Sequence, residues 1–307
     1  MLNMVNEILE EMERPPVFDV YLTGLERETR QSHGLFSVTP DLLIQETDRT
    51  DLIIIPAIHD HFDKALRNNQ EFIPWIVDQY KKGAELASFC VGAFFLASTG
   101  LLDGKQCATH WMHAHRFRQK FPDVNLVDEK IMTEEEGIYT SGGAYAFTNL
   151  ILHIIEKYAG REMAVLISKA FSIDIDRASQ SAFIIFEGQK DHSDEKVKSI
   201  QRYIEDHSDE MLLVTDLADR YAISRRTLER RFKKATSNTV SEYIQRVKVE
   251  AAKRNLERGR KNVNEVMYDV GYSDPKSFRN LFRKVTGLTP LQYRDKYNRD
   301  YRESLTY

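Results

Sequence analysis

Cysteine is nearly absent from this chain of 307 residues, which has two, Cys90 and Cys107. Two thiols cannot build a disulfide framework, so the small bridged scaffolds of secreted proteins are excluded, and a reducing cytoplasm is the expected compartment. Long apolar runs are missing as well. No stretch of eighteen uncharged apolar residues occurs, so no membrane span is expected. The start, Met1-Leu2-Asn3-Met4, has neither the basic flank nor the cleavage site of a signal peptide. Paired metal-ligand spacing is lacking too. Cys107-x-x-His110-x-x-His113-x-His115 does not fit the usual zinc patterns, and Trp111 to Phe117 reads as an amphipathic segment, so neither metal nor other cofactor is expected. What is present is ordinary for a soluble protein: 42% apolar and 29% charged residues, in a length that suits about two domains.

The net charge of −4 hides an asymmetry. Residues 193–307 hold 25 Lys+Arg against 18 Asp+Glu, a net of +7, whereas residues 1–192 hold 18 against 29, a net of −11. Between Arg220 and Lys284 the excess is 18 against 7. A basic stretch of this kind is either a solvated helix face or an electrostatic footprint for nucleic acid.

The basic region is also written twice. Leu228, Phe232, Lys233, Lys234, Thr236, Thr239 and Tyr243 are answered fifty residues later by Phe278, Phe282, Arg283, Lys284, Thr286, Thr289 and Tyr293. In each copy a short apolar helix and a tight turn (Ala222-Ile223-Ser224; Gly271-Tyr272-Ser273) precede a second, cationic helix. That pattern describes two helix-turn-helix units, which can enter successive major grooves of double-stranded DNA. Ser224 is the expected cap of the first cationic helix, and Ser273 or Asp274, followed by Pro275, that of the second. With Leu228 and Phe232 buried, Arg225, Arg226, Thr227, Glu229 and Arg230 are expected to face outward. With Phe278 and Phe282 buried, Lys276, Ser277, Arg279 and Asn280 are. Arginine can read guanine O6/N7 bidentately, and Glu229 can accept from a cytosine amino group. Val240 to Leu256 reads as one helix joining the units, about 25 Å long at 1.5 Å per residue. Helical hairpins used for protein contacts, or non-specific nucleic-acid binding, are the competing readings.

The acidic half carries apolar runs, Phe18–Leu22, Leu52–Pro56 and Glu85–Phe89, that read as strands. Helical patterns such as Phe72–Val77 and Leu150–Ile155 alternate with them, which indicates a parallel sheet covered on both faces. Pro15-Pro16 marks the end of a first helix, and Glu134-Glu135-Glu136 reads as an exposed hairpin loop. Cys90 stands where a strand runs sharply into a helix, with Gly92 as the small residue such an elbow needs two places on. The helix start beneath the sulfur is expected to lower its pKa. His110 lies at an expected strand end. For Cys90, a ligand-site or redox-sensitive thiol, inert packing and catalysis all stay open.

These residues carry two resemblances. Ser224-x-x-x-Leu228-x-x-x-Phe232-Lys233-Lys234, Val270-Gly271-Tyr272-Ser273, Phe278-x-x-x-Phe282-Arg283-Lys284 and Thr286-Gly287-x-Thr289-Pro290-x-x-Tyr293-Arg294 resemble the AraC/XylS family of transcription regulators. Met267-Tyr268 and Ser237 depart from its usual Ile-Ala and Gly. Ala87–Phe94, Gly100–Lys105 with Thr109-His110-Trp111, and Thr140–Gly143 with Gln180 are similar to the PfpI/class I glutamine-amidotransferase-like superfamily, in the version fused to AraC-type domains. Val91 stands where the proteases have the catalytic His. The chain begins at what resembles the first helix of that superfamily, so a central strand position, and the acidic residue facing the cysteine, are expected to be unfilled.

The resulting expectation is an α/β doubly wound parallel-sheet domain (flavodoxin-like, amidotransferase-like) over residues 1–187. A linker over 188–196 follows, then an all-α domain with two helix-turn-helix motifs over 197–307. What the resemblance implies is a cytoplasmic, homodimeric regulator that binds operator DNA, and RNA polymerase if it activates. Its effector would be a small molecule, with amino acids or quaternary amines as the class, held near Cys90, Val91, His110, Ser141, Gly142 and Gly143. The alternative is a thiol-dependent amidohydrolase or hydratase tethered to a DNA-binding domain.

Overall fold

Apolar residues on both sides of a short strand require a cover on both faces of its sheet, and the first half of the chain meets that demand with helices. The computed structural model describes residues 1–31, 35–58, 62–143, 145–175 and 179–298. They form two compact units, Met1–Gln180 and Ser181–Tyr307.

In the first unit α1 (Leu2–Glu11) precedes four short strands, β1 (Thr23–Gly24), β2 (Thr29–Gln31), β3 (Phe36–Val38) and β4 (Leu42–Leu43). β1 pairs with β4 in parallel, and β2 with β3 antiparallel. Then follow β5 (Leu52–Ile55), α2 (Phe62–Asn68), α3 (Phe72–Lys81), β6 (Glu85–Ser88), α4 (Ala93–Ala97), β7 (Gln106–Cys107), α5 (Ala114–Lys120), β8 (Asn125–Leu126), β9 (Met132–Glu135), β10 (Ile138–Ser141), α6 (Ala146–Ala159) and α7 (Arg161–Ala170). The main sheet has the order β5-β6-β10-β9, with β5, β6 and β10 parallel and β9 antiparallel. Ile53, Ile55, Leu86 and Ile138 pack on one face with Phe94 and Phe117. Leu52, Ile54, Ala87 and Tyr139 pack on the other with Leu150 and Ile154. The doubly wound α/β class read from the sequence is the class observed.

Two local expectations are corrected. Residues 18–22 lie outside the ladders of the described residues, and side chains take backbone groups at both ends of the run. Asn6 of α1 accepts from the N–H groups of Val17 and Phe18 at 3.0 Å and donates to the Phe18 carbonyl. Asp41 accepts from Leu22 N at 2.7 Å. The acid run is the second case. Glu134 and Glu135 belong to β9, and the turn is Glu136-Gly137, whose φ of 51° and 75° are what a two-residue hairpin requires.

The second unit is helical: α8 (Glu195–Asp206), α9 (Val214–Arg220), α10 (Arg225–Thr236), α11 (Val240–Arg258), α12 (Val263–Asp269), α13 (Pro275–Thr286) and α14 (Pro290–Tyr297). Residues 184–186, assigned to the first domain from composition, bond within this unit instead. Lys253 Nζ donates to the Ile184 carbonyl at 2.6 Å, and Phe186 N donates to Glu250 Oε2 at 3.1 Å. A boundary set by the polar stretch that follows Phe186 gives no sign of such anchors 64 and 69 residues downstream.

The repeat is geometric as well as chemical. α10 and α13 each run 12 residues, capped by Ser224 accepting from Thr227 N and by Asp274 accepting from Ser277 N. Asp274, not Ser273, is therefore the second cap. Thr236 and Thr286 each send a hydroxyl back to the Phe carbonyl four residues earlier at 2.8 Å. Thr239 and Thr289 each open the following helix with a capping box, closed by Glu242 and Gln292.

One position breaks the symmetry. Gly287 ends α13 at φ 75°, and Ser237 ends α10 at φ 59°, in the left-handed region where a Cβ costs about 1 kcal/mol or more. Ser237→Gly is expected to stabilise the second unit by about 0.5–1 kcal/mol, the greater freedom of glycine in the unfolded chain offsetting part of the relief. A denaturant midpoint that fell on this substitution would contradict the expectation.

Candidate functional site

Burying Leu228 and Phe232 on α10, and Phe278 and Phe282 on α13, turns the opposite faces of both helices to solvent. Arg225, Arg226, Arg230, Arg279 and Asn280 are exposed there, with no ion-pair or side-chain hydrogen-bond partner among the described residues, and Lys276 is exposed beside the Asp274 cap. Several cations elsewhere in the unit are engaged. Arg231 grips Asp194 with two bonds of 2.8 and 2.6 Å, Lys253 meets Glu250 at 2.8 Å, and Lys261 meets Asp269 at 2.7 Å. The Arg231 guanidinium also holds the Asp194 carboxyl below the usual carboxylate value.

Three residues expected to point outward serve their own scaffold instead. Thr227 is half-buried, its amide donating to Ser224 Oγ at 3.2 Å and its hydroxyl accepting from the same group at 2.9 Å. Glu229 accepts from Val240 N, the first residue of α11, at 3.4 Å. Ser277 is exposed, but its side chain and its amide both serve the Asp274 cap and hold that carboxyl below its ordinary value. Caps and helix starts compete for short polar side chains, and the outward count from Leu228 and Phe278 did not include that competition.

In the first unit the chain leaves β6 through Cys90 at φ 55°, a strained conformation for a residue with a Cβ. Gly92 is small by necessity, since a Cβ there would stand 2.9 Å from the Ile55 carbonyl and nearer still to that of Pro56. Cys90 N donates to Ser141 Oγ at 3.3 Å, and Thr109 Oγ1 donates to the Cys90 carbonyl at 2.9 Å. The Gln180 amide completes the arrangement. Its oxygen accepts from Gly143 N at 2.7 Å, and its nitrogen donates to the Thr109 and Asp128 carbonyls at 3.1 and 2.7 Å. A Cβ added at Gly143 would sit 3.9 Å from His110 Nε2.

The structure thus gathers Cys90, His110, Ser141, Gly142 and Gly143. It adds Thr109 and Gln180, which the sequence reading had not placed at the site. The Val91 side chain is elsewhere, buried in the apolar core that holds Phe94.

His110 lies past the end of β7 as the cap of a 3-10 turn, its Nδ1 accepting from Met112 N at 3.2 Å. Burial, with His113 beside it, holds the imidazole below the usual histidine value. The expected lowering of the Cys90 pKa is overturned, because burial pushes the thiol up and the Val91 amide opposes it weakly. A 3-10 turn spans Cys90–Gly92, and the helix beyond it has five residues, too little dipole to outweigh lost hydration. The Val91 amide is the donor set against the Cys90 sulfur. Cys107 is fully buried, and its thiol is pushed to about 12.

A raised thiol pKa leaves little thiolate at neutral pH. Iodoacetamide is expected to label Cys90 more slowly than free cysteine, with a rate still climbing above pH of about 8.5, and to spare Cys107 until unfolding. Peptide mass spectrometry of the native chain checks this. Fast labelling of Cys90 at a pH of about 6 would mean an activated thiolate.

Two family models match the chain, the DJ-1/PfpI family over residues 7–157 and a helix-turn-helix domain over residues 217–296. The HTH-type transcriptional regulator GbdR of Pseudomonas aeruginosa is 26% identical over 269 residues, 87% of this chain and 72% of its own length. CdhR of the same organism, also an HTH-type transcriptional regulator, is 25% identical over 264 residues, 86% of this chain and 77% of its own. The HTH-type transcriptional regulator GlxA of Rhizobium meliloti is 25% identical over 211 residues, 68% of this chain and 64% of its own. The first two likenesses run through both units, so they concern the order of the two domains as well as each alone. The chain belongs to the AraC family of transcriptional regulators, in the group whose AraC-type DNA-binding domain follows a DJ-1/PfpI-family domain.

Proposed function

We propose that α10 and α13 are paired recognition helices for successive major grooves, and that a small-molecule effector at the Cys90 elbow controls where the chain binds. The unpartnered cations carry the first part. Arg225, Arg226, Arg230 and Arg279 are held outward without partners on two matched helices, and Lys276 is exposed beside them. Guanidinium groups so presented suit guanine edges, and Asn280 suits adenine. α11, at 19 residues, spans about 28 Å, close to the ~34 Å of one DNA turn.

The elbow supports the second part. Neutral His110, the uncharged Cys90 thiol and the Gly142-Gly143 turn offer polar contacts beside the Gln180 amide. Gln180 is followed directly by residues 181–186, whose Ile184 and Phe186 backbone groups are bonded to α11. An effector competing for Gly143 N or the Thr109 carbonyl would act on that connecting segment. Control requires that it bind two states with different affinity. The class suggested by the resemblance is amino acids or quaternary amines. The regulator works in the cytoplasm as a homodimer and meets RNA polymerase where it activates.

The strained Cys90 backbone favours one competing reading, a thiol amidohydrolase or hydratase. A raised thiol pKa, and Val91 in place of a histidine after the nucleophile, weigh against turnover.

Base reading is tested with duplexes that the chain enriches from a random pool. Arg226→Ala or Arg279→Ala is expected to relax preference at single base positions, by about 1–3 kcal/mol each. Equal weakening on every duplex would assign both side chains to phosphates. For the effector, Cys90→Ala is expected to keep the enriched duplexes and alter the thermal shift given by a panel of amino acids and quaternary amines. Amide hydrolysis by the wild-type chain that the variant lacks would favour the enzyme.

A further inference from the structure

The second unit has two apolar cores, and they meet on α11. Val247 belongs to the core that holds Leu228 and Phe232, and Val249 to the core that holds Phe278 and Phe282. Lys248 stands between them, 5% exposed. Its ammonium has three N–H donors, and three backbone carbonyls take them: Ser208 at 2.9 Å, Glu210 at 2.6 Å and Val270 at 2.7 Å.

The first two carbonyls lie in the segment between α8 and α9, in the first half. The third ends α12, in the second half. Gly271, at φ 69°, closes the same seam. A Cβ there would overlap the Asp209 carbonyl oxygen and come within 2.8 Å of Lys248 Nζ. The Tyr272 ring lies 5.7 Å from the ammonium. Burial lowers the Lys248 pKa, opposed by the nearby Asp209 and Glu210 carboxylates.

We propose that Lys248 is a positioning residue for DNA recognition, a three-way clamp that fixes the spacing and rotation of α13 relative to α10. The inference rests on both helices reading DNA. Each helix is packed firmly in its own core, so their mutual placement is decided where the cores adjoin. Apolar contacts tolerate sliding, whereas hydrogen bonds from a buried ammonium to three fixed carbonyls are directional. A pair of half-sites at one fixed separation rewards that rigidity, because the second contact is made at the effective concentration set by the first.

Lys248→Met keeps the side-chain length and removes the donors. Gly271→Ala forces the seam from its other side and leaves the lysine in place. The full chain and the duplex enriched by wild-type protein serve for both, alongside one duplex with a half-site scrambled and one with two base pairs inserted between half-sites. Either variant is expected to bind the intact duplex about 10-fold or more weakly, to bind the scrambled one within about 2-fold of wild type, and to lose preference for the original spacing.

An unchanged spacing preference in folded variants would overturn the proposal. So would equal weakening on all duplexes, or failure of both variants to give a folded second unit, since the lysine would then serve the fold alone. A wild-type chain that enriches no duplex overturns the reading of the DNA face as well. One that enriches a duplex whose spacing both variants still prefer overturns this inference only.

Discussion

Tyr243 meets the Phe232 ring edge to face, with centroids 5.2 Å apart, and Tyr293 meets Phe282 in the same way at 5.4 Å, both pairs at 81°. What the second unit shows to DNA depends on this repeated contact. Each phenylalanine belongs to a cationic helix, and each tyrosine to the first turns of the helix after it. The contact therefore fixes the rotation of α10 and α13 about their own axes. With Leu228 and Phe232 turned inward, a step of 100° per residue puts Arg226 and Arg230 on the far side, and Lys276 and Asn280 follow from Phe278 and Phe282. The phenols are anchored in turn, Tyr243 to Glu205 at 2.7 Å and Tyr293 to Glu257 at 2.6 Å. Burial and those carboxylates raise both phenols far above their ordinary value, so each stays a proton donor.

This half was legible because its information is local and repeated. Caps, apolar stripe and turn fall within a dozen residues of one another, and a second copy confirms each. The features that were not legible depend on partners distant in sequence or on competition between neighbours. Lys248 takes carbonyls 40, 38 and 22 residues away, and Arg231 takes Asp194 across 37. Thr227 and Glu229 have the right spacing to face DNA, yet a nearby helix start claims each. The apolar run at 18–22 has strand composition, but a strand also needs a ladder, and Asn6 and Asp41 occupy backbone groups at its two ends. Composition reports the propensity of a segment and not which group reaches it first.

The elbow was legible in geometry and misread in chemistry. The need for Gly92 follows from a turn so tight that the backbone of β5 fills the space of a side chain. Thiol reactivity follows instead from hydration and local charge, which one sequence does not display. Cys90 keeps the strained backbone of a nucleophile and has the raised pKa of a buried thiol. Around it lie hydroxyls, amides and a histidine held neutral, with no cation recorded against the sulfur among the described residues. Such a lining suits a molecule that is bound and released. Acyl transfer needs a thiolate, whose formation the raised Cys90 pKa opposes.

Buried charge gives the last step. Lys248 is 5% exposed, and the Lys253–Glu250 pair is similarly enclosed, with side chains 4% and 10% exposed. Well-packed apolar side chains at such positions are often as stabilising or more so, because desolvation offsets most of the attraction. Their value here is better sought in direction than in energy. Both lysines lie on α11, and both bond to backbone carbonyls of other segments: Lys248 to the two sides of the seam, and Lys253 to Ile184 in the stretch that follows Gln180. Apolar replacements would fill the same volume and leave those carbonyls unbonded, so each segment would lose a defined seat while both cores stayed intact. Under the proposed reading, directional bonds from these buried charges set the placement of the two helices while the apolar cores hold each helix in place.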